Sequence, residues 1–153
     1  MKKILLILLV GCSTQINFDD AAKEQVKKEA EEMLDAYHRA MEQDGLMSEL
    51  EYLDSSDEFF WVPPGYNSAL SYDSVISILE VNAPAIQSMK LQWEYIHIYP
   101  LSRKIADFTG KLHSTIIDTS GTTTKLVMLE TGTLIKREKG WQLLNGQSRI
   151  SNE

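Results

Sequence analysis

The stretch TTTKLVMLETGTLIKREKGWQLLNGQSRI, residues 122–150, decides the fold. Residues 122–136 alternate β-branched and apolar side chains with polar ones, and a Lys139-Gly140 pair interrupts them. Trp141 then opens a second run of the same period. The pattern predicts two antiparallel strands joined by a tight turn, with Gly140 supplying the backbone freedom that the turn needs. The phase of the first strand stays open. Leu126, Met128, Glu130 and Leu134 share one face, and Val127, Leu129 and Ile135 the other. Both are apolar enough to be buried.

Two more strands precede these. Residues 104–118 place Ala106, Phe108, Gly110, Leu112 and Ile116 on one face. Asp107, Thr109, Lys111, His113 and Thr115 lie on the other, and residues 119–122 form a hairpin turn. In residues 90–99, Trp93, Tyr95, His97 and Tyr99 alternate with Glu94, Ile96 and Ile98. Alternation sends the aromatic set either into a pocket or onto an outer surface. Ile96 and Ile98 suit a core, so the preferred reading makes Trp93, Tyr95, His97 and Tyr99 a dimer or partner face, where polar-tipped rings suit a half-wet interface.

Before residue 90 the period is 3.6. Residues 21–44 read as a helix with Asp20 as N-cap and a stripe of Val26, Ala30, Met33, Leu34, Tyr37 and Met41. His38 falls off that stripe and is expected to be solvated. Gly45 ends the helix, and a short second helix buries Leu46, Met47, Leu50 and Leu53. Residues 57–62 form a strand that Pro63-Pro64-Gly65 stops, since neither proline can donate to a ladder. Ser71 caps a third helix with Tyr72, Val75, Ile76 and Leu79 on one side. Helices followed by strands give an α+β domain over residues 20–150. A chain of 153 residues suits one domain, and 43% hydrophobic residues suffice for its core. The net charge of −7 repels phosphate backbones, so no nucleic-acid partner is expected.

The chain opens MKKILLILLVGC. Lys2 and Lys3 precede an apolar run too short to span a bilayer, and the run ends at the one cysteine of the chain. Leu9-Val10-Gly11-Cys12 resembles the lipobox of bacterial lipoproteins. The resemblance implies that residues 1–11 are a signal peptide, that Cys12 is lipidated, and that residues 12–19 are a tether. Ser13 carries no acidic inner-membrane retention signal. The expected address is the bacterial cell envelope, lipid-anchored at the outer membrane and facing the periplasm.

Four further pieces resemble the SnoaL-like branch of the nuclear transport factor 2-like superfamily. They are Asp44-Gly45-Leu46, Val62-Pro63-Pro64-Gly65, Lys104-Ile105-Ala106-Asp107-Phe108-Thr109-Gly110 and Gly140-Trp141-Gln142-Leu143-Leu144. The resemblance implies a cone: a curved mixed β-sheet wrapped over about three N-terminal helices, with an interior pocket and a homodimer through the outer sheet face. Pocket candidates are Tyr37, Trp61, Tyr66, Met128, Glu130, Asn145 and Gln147. Asn145 and Gln147 look like the positions where SnoaL-like enzymes commonly carry histidine, and amides transfer no proton at neutral pH. Glu130 and Asp107 are weak catalytic candidates. A metal site from His97, His113 and Asp107 lacks supporting spacing, so neither metal nor cofactor is expected. The leading reading is a membrane-anchored, non-catalytic domain that binds a small apolar ligand or acts as a dimeric interaction module. The alternative is an isomerase, dehydratase or cyclase.

Overall fold

The computed structural model describes residues 18–151. The expected signal peptide, Cys12 and residues 12–17 of the tether lie outside the described residues.

Helix α1 spans Asp20–Asp44. Its cap is Asp19 rather than Asp20: the Asp19 carboxylate accepts a hydrogen bond from the Ala22 amide at 2.9 Å. Gly45, at φ 87°, ends α1 and turns the chain into a 3₁₀ helix, Leu46–Glu51. Strand β1 (Phe60–Val62) is shorter than the sequence suggests. Helix α2 (Tyr72–Asn82) starts at the expected Ser71 cap. Four long strands follow: β2 (Ile86–Pro100), β3 (Ile105–Asp118), β4 (Thr123–Arg137) and β5 (Gly140–Ile150). The sheet order is β1-β5-β4-β3-β2. β2 to β5 form an antiparallel meander, and β1 joins β5 in parallel, so the sheet is mixed.

The sheet curls over α1 and α2. Val26, Ala30 and Leu34 of α1 meet Ala106, Phe108, Leu134, Trp141 and Leu143 of the sheet in one buried cluster. Three bulges help to bend it. Gln87 and Glu94 are the extra residues in β2, and Leu144 in β5. Each reverses which side chains face inward downstream of it. The concave face is also thinned under aromatic rings. A Cβ at Gly110 would lie 2.7 Å from the Trp93 ring, and one at Gly146 would lie 2.5 Å from the Trp61 ring. At the closed end, Lys136 and Trp141 both bind the Glu29 carboxylate, at 2.6 and 2.9 Å, tying the β4–β5 hairpin to α1.

Candidate functional site

Between the helices and the concave face of the sheet lies a cavity of about 230 Å³. Its walls are largely hydrocarbon, from α2 (Val75, Ile78, Leu79) and from β2 (Ile86, Met89, Leu91). A polar cluster faces it from four elements: Tyr37 and His38 of α1, Glu49 of the 3₁₀ helix, Glu130 of β4 and Ser148 of β5. Ser114 of β3 also lines it.

Leu134 is fully buried, which settles the open phase of β4: Met128, Glu130 and Leu134 face inward. Ser148 stands opposite Glu130 across the β4–β5 ladder, and its hydroxyl donates to the Glu130 carboxyl at 3.0 Å. Tyr37 donates to the Glu49 carboxyl at 2.7 Å. Tyr37, Glu49 and Glu130 are each half-buried.

Burial pushes the Glu130 carboxyl up to about 7, against the opposing pull of Ser148, and the charge of Glu49 adds to the rise. Burial likewise pushes Glu49 up to about 7, with the Tyr37 hydrogen bond opposing it. Burial raises the Tyr37 phenol well above its usual range, and the two carboxyls raise it further. His38 goes the other way: burial lowers it to about 4, so it is neutral at physiological pH. Its ring packs on Trp93 with centroids 4.8 Å apart.

The structure therefore brings together Tyr37, Trp61, Met128 and Glu130 of the expected pocket set and rejects the other three. Tyr66 is 43% exposed on its loop and lies off the cavity. Asn145 and Gln147 flank a shallow groove on the opposite sheet face, with Asp107, Phe60 and Val62. The Leu144 bulge is the cause, because it turns Gly146 and Ser148 inward in their place. The amides at 145 and 147 therefore say nothing about chemistry inside the cone. Asp107 is no candidate base, since it sits in that outer groove and accepts from the Thr133 hydroxyl at 2.8 Å.

The aromatic set of β2 is also divided. The extra residue Glu94 separates Trp93, which packs inward against Phe108 and His38, from Tyr95, His97 and Tyr99, which are exposed. Ile96 and Ile98 pack on the core. His113 is outside as well, 2.7 Å from Glu94. Among the described residues no group of three or more His, Cys, Asp or Glu side chains is arranged to hold a metal.

His38, Glu49 and Ser148 escaped the sequence reading. A signal existed for the first two. Leu34, Tyr37, His38 and Met41 run i, i+3, i+4, i+7, and so do Leu46, Glu49, Leu50 and Leu53. His38, at 5% exposure, is buried rather than solvated. A polar residue inside an apolar stripe is a reason to look for a cavity.

No family model matches this chain, and no curated protein matches it. Solved structures do. A proposed scytalone dehydratase from Novosphingobium aromaticivorans DSM 12444 superposes with a TM-score of 0.77 at 12% identity, over 87% of this chain and 89% of that one. The fold is nuclear transport factor 2-like. A nuclear transport factor 2-like superfamily protein from Salmonella enterica serovar Typhimurium LT2 gives 0.73 at 14% identity, over 85% of this chain and 94% of its own. A hexachlorocyclohexane dehydrochlorinase from Novosphingobium barchaimii LL02 gives 0.69 at 7% identity, over 87% and 91%. At such identities the likeness carries the fold alone, so function rests on the cavity.

Proposed function

We propose that this chain is a lipid-anchored envelope domain whose cone binds a small, mostly apolar molecule. One observation carries the reading. A preformed apolar cavity has its few polar groups gathered in one cluster, the usual character of a small-molecule site. Drug-sized ligands occupy about 300–1,000 Å³, so about 230 Å³ suits something smaller. Met41, Met89 and Met128 line the cavity, so their methyl groups are reporters for it. In a titration with small cyclic alcohols, ketones and amines, followed by methyl NMR, those three signals should move and saturate. Met128→Trp, which fills the cavity, should abolish the effect while keeping the fold by circular dichroism. Methyl signals that stay put across the panel sink the reading.

A second reading is proton-transfer catalysis, and the pair Glu49 and Glu130 favours it. A carboxyl that titrates near neutrality is suited to act as general base or general acid. Glu130 is the base candidate because Ser148, its one hydrogen-bond partner among the described residues, is a weak donor, whereas Tyr37 and Glu49 already share a short hydrogen bond. The discriminating measurement is deuterium uptake at the carbon next to the carbonyl of a bound cyclic ketone. Uptake abolished by Glu130→Gln supports catalysis. Binding with uptake no faster than in buffer leaves a binding domain only.

A further inference from the structure

The polar cluster also specifies what kind of head group enters. Lysine and arginine are missing from the cavity lining among the described residues. The ionisable lining groups are Tyr37 and His38 from α1, Glu49 from the 3₁₀ helix and Glu130 from β4. β1, α2, β2, β3 and β5 contribute none. An anionic ligand would meet two carboxyls and no countercharge. Donors are scarce as well. The Tyr37 and Ser148 hydroxyl protons are committed to Glu49 and Glu130. The neutral His38 ring keeps one N–H donor, but each ionised carboxylate offers about four lone-pair sites, so acceptors still outnumber donors. Ser114 adds an independent sign. It is 2% exposed, it lines this cavity, and its hydroxyl has no hydrogen-bond partner among the described residues. Its hydroxyl is free to accept from a ligand, and it can also donate.

We infer that the cone takes an ammonium ligand, its charged nitrogen held by the Glu49 and Glu130 carboxyls and its apolar body packed against Met89, Leu91 and Met128. An ammonium brings three donors and no acceptor, which complements a cluster of this kind. A bare metal ion fits worse, because most of the cavity wall is hydrocarbon and no metal-ligand cluster is present among the described residues. Burial favours the protonated form of both carboxyls, and the charge of Glu49 raises Glu130 further, so a proton is held in the cluster near neutral pH. The incoming cation displaces that proton, so binding tightens as pH rises from 6 to 8. The inference rests on the reading of the cone as a small-molecule site, and names the ligand class.

The test compares three probes with one ring and three head groups: benzylammonium, benzyl alcohol and benzoate. Calorimetry at pH 6, 7 and 8, in buffers of differing ionisation enthalpy, gives affinity and protons released. Benzylammonium should bind at pH 8 about tenfold to a hundredfold more tightly than benzyl alcohol, the range of a charge-assisted hydrogen bond, and should release protons. Benzoate should not bind. Glu49→Gln and Glu130→Gln, both near-isosteric, should each remove the preference of the site for the amine over benzyl alcohol. Benzyl alcohol binding as tightly as the amine overturns the ammonium assignment and leaves the cavity reading standing. An amine affinity flat with pH overturns it too. If none of the three binds, both readings fall.

Discussion

Glu130 marks where the molecule gives up stability for its site. Its carboxyl is held at about 7 in the fold against 4.5 as the ordinary value. Below pH 4.5 both folded and unfolded chains carry it protonated. Between pH 4.5 and 7 the unfolded chain ionises first, so this residue's contribution falls as pH rises and levels off above 7. Glu29 has the opposite sign. Hydrogen bonds from Gln25, Lys136 and Trp141 hold it at about 2, so its contribution is present above pH 4.5 and lost as pH falls toward 2. Glu130→Gln, compared with the parent chain by urea unfolding, should therefore stabilise the protein by about 1–3 kcal/mol at pH 8 and by nothing at pH 4. An equal effect at both pH values would mean that the carboxyl is not held protonated by its surroundings.

At the scale of elements, most of the architecture was legible in the chain. The 3.6 period of α1, the Ser71 cap and the alternation in β3 each follow from local residue order, and the structure has them. What could not be read was the phase of β2 and β5, because a bulge leaves no mark in a local pattern. Strict alternation from Trp93 carries the tryptophan outward with Tyr95, and one unpaired residue, Glu94, separates them. The same happens at Leu144, which exchanges Asn145 and Gln147 for Gly146 and Ser148. Both inversions fall beside the cavity, so the site was less legible than the fold. The Glu94 and Leu144 bulges are each accompanied by a glycine that a tryptophan ring closely approaches, Gly110 under Trp93 and Gly146 under Trp61. Gly146 has the least room: a Cβ there meets the Thr131 carbonyl, the Trp61 ring and the Gly132 backbone. Two of these three contacts are backbone, so relief requires strand movement. Gly146→Ala should cost about 1–3 kcal/mol in unfolding free energy and shift the Trp61 fluorescence. A variant as stable as the parent, with unchanged emission, would show that the β5 bulge is not pinned there.

The whole molecule has a direction. α1 begins at Asp20, next to the proposed tether, and its lining residues Tyr37, His38 and Met41 lie near its other end. At 1.5 Å per residue the cavity is about 25–30 Å along the helix from Asp20. With the proposed anchor before Asp20, the cavity would lie at the end of α1 away from the bilayer. The homodimer that the family resemblance implies would use the exposed Tyr95, His97 and Tyr99 on the outer sheet face. Glutamates at Tyr95 and Tyr99 on that face should shift sedimentation from dimer to monomer without loss of the fold, and a parent chain that sediments as a monomer at micromolar concentration removes the dimer. The proposed anchor makes a separate demand. Several acyl chains on one residue hold a protein at a membrane where one chain holds it only marginally. Cys12→Ser should move the protein from the membrane fraction to the soluble one and abolish incorporation of labelled palmitate. Because Cys12 lies before Phe18, the first described residue in contact with the core, the released protein should keep its melting temperature and its Met41, Met89 and Met128 response to ligand. Release with an intact cavity would separate anchoring from binding, and unchanged membrane partitioning of Cys12→Ser would remove the lipid anchor from the proposal.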